Sequence, residues 1–322
     1  MKFDLHMHSC FSKDGEFTPK QLIEIAKEKE MKVIALCDHD SVLGVTEIIE
    51  EGKKEDIFVI PSIECTTLFN DYECHLLGYN IDINHPYFQN LREHINEVVG
   101  GIFHKRFMKM TQKYHLEFDE EEIVKEAGEG NPWFTFCYKL FSDPRYENIE
   151  DFKEYRKGGK RCDPAPVNFY WDNCQAGSDL HVRVEYPSFK DSVQMIHEAG
   201  GLAVLAHPFK NFYQREDFLQ EALEAGIDGI EVYSNYHNKE HIEYYKEFAI
   251  KNNLMITCGS DFHGKTKPSI QMGSYGLNEN GDPIRLLGDG VTDETDEIEN
   301  VPESIKDYER YNYKKYGRNI FI

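Results

Sequence analysis

The chain has 322 residues, 40% of them hydrophobic and 13% aromatic, enough for one large α/β domain or two ordinary ones and too apolar for a disordered chain. Its formal net charge of −22 argues against a protein that coats nucleic acid non-specifically, yet a local cluster of cations can still hold a small anion. No stretch resembles a membrane span or a secretion signal, so a cytoplasmic protein is expected, and the eight cysteines, with no C-x-x-C pair, read as reduced apolar residues rather than thiolate ligands.

In chain order, the first apolar run is "KFDLHMH". Strand alternation places Phe3, Leu5 and Met7 on an outer face and Asp4, His6 and His8 on the other. "TPKQLIEIAKEKEM" reads as a helix with Thr18 as N-cap, Pro19 at its first position and an apolar stripe at Leu22, Ile23, Ile25 and Ala26. The runs "KVIALCDHD", "IFVIPSIE" and "CHLLGYNI" follow, and "ECTTLF" and "YECHLLGYN" flank Asn70-Asp71 as a local hairpin. The alternation then breaks. Residues 85–187 read as a mainly helical insertion after the fourth strand, opening with "PYFQNLREHINEVVGGIFHKRFMKMTQKY". It resumes with "GLAVLAHP", "DGIEVYS" and "LMITCGSDFH", separated by helix-like stretches, two of which end in a glycine stop. Residues 278–322 form an acidic, weakly periodic C-terminal extension. The pattern predicts an α/β fold with a mostly parallel sheet, built from 1–84 and 188–277. Seven repeats fit a barrel, and an open doubly wound sheet fits almost as well.

Most of these runs end in a side chain able to hold a metal. His6 and His8 end the first, His39 the second and Glu64 the third; His75 lies in the fourth, His207 ends the fifth, and Asp261 and His263 end the seventh. Asp14 sits in the loop after the first strand. In a parallel barrel the strand C-termini meet at one rim, where active sites sit. A merely hydrogen-bonded polar cap of so many carboxylates and imidazoles would be costly without cations. Nine N and O donors exceed the needs of one ion and point to two or three. No G-x-S-x-G, P-loop or dinucleotide glycine motif is present, so the expected chemistry is hydrolysis by a metal-bound hydroxide.

The ordered set "DLHMHSCFSKDG", "ALCDHDSVLG", "VIPSIEC", "HLLGYNID", "AGGLAVLAHP", "GIDGIEVYS" and "GSDFHG" resembles the PHP (polymerase and histidinol phosphatase) superfamily of metal-dependent phosphoesterases over about 1–84 and 190–275. The resemblance implies a distorted (β/α)7, TIM-like barrel with a di- or trinuclear centre of manganese, iron or zinc. It places one ion on His6, His8, Glu64 and Asp261, lets Glu64 bridge to a second held by His75 and His207, and gives a third to Asp14, His39 and His263. The "CFSKDG" loop is one residue longer than the common form. Asp38, Asp40 and Glu231 are expected to orient the imidazoles, and His207 and His263 are candidate donors of the leaving-group proton. The insertion is similar to that of a branch acting on nucleotides, including nucleoside 3′,5′-bisphosphate phosphatases and 5′-end-trimming RNases. There the insertion supplies cations to substrate phosphates; the candidates here are Lys105, Arg106, Arg156, Lys157, Lys160 and Arg161, although "GNPWFTFCYKLF" lacks the arginine expected near its start. The resemblance implies a small anionic phosphorylated substrate, while the acidic net charge and the lack of an apolar span leave neither extended nucleic acid nor a membrane expected as a partner. Alternatives are a histidinol-phosphate-type phosphatase, a metallohydrolase of another bond and a non-catalytic metal-binding module.

Overall fold

A computed structural model describes residues 2–275 except Lys13, Glu129, Ala176, Val184 and Lys210, so the stretch read as a C-terminal extension lies outside the described residues. The seven strands are β1 (Lys2–Met7), β2 (Met31–Leu36), β3 (Phe58–Phe69), β4 (Tyr72–Tyr79), β5 (Leu202–Leu205), β6 (Gly229–Ser234) and β7 (Met255–Gly259). They form one sheet in chain order. β1, β2 and β3 are parallel, as are β5, β6 and β7, whereas β4 runs antiparallel to both neighbours. Beyond the strand ends, the Asp261 amide donates to the His6 carbonyl at 2.8 Å and the His8 amide to the Phe262 carbonyl at 2.9 Å. These bonds draw β7 to β1 and nearly close the barrel.

Helices α1 (Pro19–Glu28) and α2 (Val45–Lys54) cover β1 to β3. Thr18 and Gln21 form a reciprocal capping box at the start of α1, and Leu22, Ile23 and Ala26 are its buried stripe. The sheet has two apolar faces. Val33, Ala35 and Cys37 pack inward with Ile60, Leu77, Tyr79 and Val204, while Ile34 and Leu36 pack outward on Leu22, Ala26 and Ile48. The outer face expected for β1 is only partly realised. Met7 packs outward, but Leu5 belongs to the inner set, because pairing with β2 shifts register between Asp4 and Met7 and interrupts the alternation.

Between β4 and β5 lie α3 (Pro86–Tyr114), α4 (Glu120–Ala127), α5 (Pro132–Ser142), α6 (Ala165–Asn173) and α7 (Phe189–Glu198). α3 spans about 44 Å and serves two cores in turn. Phe88, Leu91 and Ile95 join the barrel core, whereas Phe103, Phe107 and Met110 join a separate core with Phe136, Phe152 and Phe169. α7 returns the chain to the barrel, followed by α8 (Glu216–Ala225), which stops at Gly226 in the left-handed region at φ +98°, and α9 (Lys239–Lys251). Among the described residues, no helix is long and apolar enough to cross a membrane.

Candidate metal centre

Strand direction explains how the candidate ligands meet. β1, β2, β5 and β7 deliver side chains from their C-terminal ends or the loops just beyond, and β3, which runs on past the end of β2, delivers Glu64 from its middle beside His39. β4 runs the other way, so His75, near its start and paired with Thr66 of β3, reaches the same rim. Three residues around the rim take left-handed backbone, Asp40 at φ +53°, His207 at +23° and Asp261 at +57°. Such conformations cost about 1–3 kcal/mol each and concentrate at functional sites.

Three groups of donor atoms each fall within 4.8 Å of one another: His6, His8, Glu64 and Asp261; His39, Glu64 and His75; and His8, His39 and His263. Glu64 is the hub. Its Oε2 lies 3.2 Å from Nε2 of both His6 and His8 and 3.1 Å from Nδ1 of His39, and its Oε1 lies 3.0 Å from His75 and from His207. Asp14 approaches His263 Nε2 at 3.3 Å and His39 Nε2 at 3.8 Å. All nine residues thus come together.

Three imidazoles are held by Nδ1 with Nε2 turned to the centre. His6 Nδ1 bonds Glu231 Oε1 at 3.0 Å, and the other oxygen of Glu231 accepts from the His207 amide at 2.8 Å. His8 Nδ1 bonds Ser12 Oγ at 3.0 Å, and that hydroxyl donates to Asp38. His263 Nδ1 bonds the Asp261 carbonyl at 2.8 Å. Glu231 therefore orients an imidazole directly and Asp38 does so through a serine. Asp40 does not: its carboxylate accepts from the Thr66 amide and hydroxyl, both at 2.7 Å, and pins β3 beside Glu64 rather than turning a ring.

Burial and charge oppose each other here. Burial raises the Glu64 carboxyl, but His6, His39 and His75 outweigh it and hold that group well below the usual carboxylate range. For Asp261, burial is likewise overcome by Lys267, His263 and His6. Burial lowers His6, but Glu64, Glu231 and Asp261 lift it well above an ordinary imidazole, and Glu64 lifts His75 against its own burial to about 10. For His39 and His263 burial wins and the pKa falls. The cluster's anions thus draw positive charge onto some imidazoles and leave others neutral. Cys37, close by, is pushed by burial to about 12 and remains a thiol.

Seven buried atoms of the cluster have no hydrogen-bond partner: Nε2 of His6, His8 and His263, Nδ1 of His39, Oε2 of Glu64, and Oδ1 of Asp14 and Asp261. Each would cost about 1–3 kcal/mol if left so. They are the N and O donors that divalent transition metals accept, and they face one another. The residues fit such ions.

A cavity of about 520 Å³ opens over this cluster, walled on its far side by the helices between β4 and α7. Of the candidate cations, Arg106, Lys160 and Arg161 line it. Lys105, on the solvent-facing side of α3, and Lys157, in a turn, are exposed and do not line it. Arg156 is also not brought there: its guanidinium donates to the Phe141, Leu140 and Asp143 carbonyls at the end of α5. Sequence reasoning missed Arg92, Tyr236 and Lys267, which line the cavity too. Lys267 sits in "GKTKPS", where nothing in the pattern tells it from Lys265, yet it is buried on Asp261 while Lys265 is largely exposed.

The family profile described as "PHP domain" matches residues 4–155. The chain is 29% identical to a phosphoribosyl 1,2-cyclic phosphate 1,2-diphosphodiesterase from Eggerthella lenta, covering 81% of this chain and 94% of that protein. It is 26% identical to a 5′-3′ exoribonuclease from Haemophilus influenzae (81% and 90% covered) and 27% identical to a 3′,5′-nucleoside bisphosphate phosphatase from Chromobacterium violaceum (81% and 86% covered). A solved structure from Bifidobacterium adolescentis, described as a metal-dependent phosphoesterase, shares the fold with a TM-score of 0.64 at 23% identity, over 87% of this chain and 93% of that one.

Proposed function

Given that the chain belongs to the PHP family of metal-dependent phosphoester hydrolases, we propose that it acts on a small phosphorylated metabolite carrying a planar base, a nucleotide or nucleoside bisphosphate. One observation carries this reading: the cavity joins the ligand cluster to a wall of Trp133, Phe134 and Trp171 interleaved with Arg106, Lys160 and Arg161. Its volume of about 520 Å³ lies in the range that encloses one small ligand. Aromatic faces suit a base and guanidinium groups suit phosphate. Two relatives whose names specify a phosphoribosyl cyclic phosphate and a nucleoside bisphosphate support the same size of substrate.

His6, His8, Glu64 and Asp261 would hold one ion, Glu64, His75 and His207 a second, and Asp14, His39 and His263 a third. Divalent cations held there lower the pKa of water and spread the charge of a transferring phosphoryl group. The protein's own groups fix the rest. Glu231, and Asp38 acting through Ser12, lock two ring orientations before substrate arrives. Arg106 is buried between Trp133 and Tyr170, with ring centroids 5.1 and 4.9 Å from its guanidinium carbon, and its Nε has no partner. A charge held in that slot has little freedom to lose when a substrate phosphate docks. Of the two imidazoles weighed as proton donors, His207 lines the cavity and His263 does not, but both stand in the ligand set, with Nε2 at 3.0 Å from Glu64 and 3.3 Å from Asp14 respectively, so neither is assigned the leaving-group proton.

The test is turnover by manganese-loaded protein of nucleoside 3′,5′-bisphosphates, nucleotides, a cyclic phosphodiester, histidinol phosphate and 5′-phosphorylated oligonucleotides. Mononucleotide-sized substrates are expected to have the highest kcat/KM, with activity abolished by chelation. Faster cleavage of oligonucleotides or histidinol phosphate, or no turnover of any member, would defeat the reading.

A further inference from the structure

We infer that Lys267 and Tyr236 are positioning residues that restrict Asp261 to binding metal through one oxygen. The two carboxylate oxygens have different surroundings. Oδ1 is buried without a hydrogen-bond partner and lies 3.0 Å from His8 Nε2 and 3.4 Å from His6 Nε2. Oδ2 is engaged: Lys267 Nζ donates to it at 2.5 Å and the Tyr236 hydroxyl donates to it as well. Lys267 also donates to the Tyr236 oxygen at 2.9 Å, so ammonium, phenol and carboxylate close a triangle.

A carboxylate with both oxygens free can chelate one ion, bridge two or swing between them. An ammonium and a phenol on Oδ2 remove those options and leave Oδ1 aimed at the pair of imidazoles. The cost of the arrangement argues that it is not incidental. Lysine is almost never buried without a partner, and Lys267 is only 8% exposed. The Asp261 backbone is itself held in the left-handed region at φ +57°, a conformation that non-glycine residues adopt at a cost. Glu64, by contrast, has no such clamp and both of its oxygens face imidazoles, as a bridging ligand requires.

The inference rests on reading the cluster as a metal centre and not on the identity of the substrate. It is tested by titrating metal-stripped parent, Tyr236→Phe, Lys267→Met and Lys267→Arg proteins with Mn²⁺ by calorimetry, with the Mn²⁺ electron paramagnetic resonance spectrum as a second readout and circular dichroism as the check of folding. Lys267→Met is expected to bind about 10- to 100-fold more weakly, the range typical for groups that orient a metal ligand. Tyr236→Phe, which removes one oxygen and keeps the ring, is expected to shift the same way by less. Lys267→Arg, which restores a cation on Oδ2, is expected to recover part of the loss. Folded Tyr236→Phe and Lys267→Met proteins with parental affinity and spectrum would overturn the proposal. Should Lys267→Met fail to fold, Tyr236→Phe decides alone. A parent that binds no Mn²⁺ would instead overturn the metal-centre reading itself.

Discussion

His237 is as buried as the imidazoles of the metal centre, but its surroundings are of another kind. Its Nδ1 donates to the Val232 carbonyl at 2.7 Å, Phe209 and Tyr245 pack on the ring, and the titratable groups facing it are His241 and, farther off, His207. With no carboxylate to offset burial, its pKa falls to about 3. The unfolded chain therefore takes up a proton near pH 6.5 that the folded chain refuses. The stability tied to this group is intact above pH 6.5 and is lost as pH falls toward 3, by up to about 1.4 kcal/mol per pH unit. His237→Phe is expected to flatten the pH dependence of urea unfolding of metal-free protein between pH 6.5 and 4 by close to one proton. Parallel slopes for parent and variant would show that His237 is not the group responsible. Position along the strands separated the six rim histidines from the other eight, which read as solvated surface; His237, in the loop after β6, is not among the rim ligands but is buried at 1% exposure, because a loop residue's sequence gives no sign that it folds under Phe209 and Tyr245. The same reasoning had no hold on Lys267 or Tyr236, because a loop has no period to show which side chain turns inward.

At the scale of elements, the strands and the hairpin were legible because their apolar runs and the Asn70-Asp71 turn are local signals. The irregularity of β1 was not, since only pairing with β2 shifts Leu5 to the inner face. Closure at β7 depends on Gly259, where an added Cβ would lie 2.1 Å from the Cβ of His6; "CGSDFH" contains that glycine without revealing what passes over it. The cluster "RKGGKR" shows the limit most clearly. Its four cations look equivalent in sequence, but Arg161 forks onto Asp172 at the cavity wall while Arg156 turns back to cap α5. Removing hydrogen bonds from a charged donor costs about 1.5–3 kcal/mol. Arg156→Ala is therefore expected to lower stability by about 2 kcal/mol in denaturant unfolding and to leave KM unchanged. A raised KM at parental stability would restore Arg156 to the substrate site.

Across the whole molecule, the candidate ligands come from β1, β3 and β4, from the loops after β1, β2 and β5, and from the segment after β7, so the bound ions together would tie nearly the full circumference of the barrel. The helices between β4 and α7 contribute none of the nine and pack around their own aromatic core. That division was only half visible beforehand: the break in alternation marked where the barrel stops, but α3 feeds two cores in succession, and no single apolar stripe shows which face belongs to which. It has a measurable consequence. Ions that bind only the folded state stabilise it by about 2.7 kcal/mol at a concentration 100 times the Kd, and that free energy acts where the ligands are. Chelation is thus expected to lower the Tm, with Mn²⁺ restoring it. In hydrogen exchange, chelation should speed the amides of β1, β7 and the β3–β4 hairpin while α5 and α6 keep their rates, because the helical core loses no contact when the rim does. Equal acceleration in α5 and α6 would mean that the two cores open as one unit, and no change at the strand ends would mean that the rim does not depend on metal.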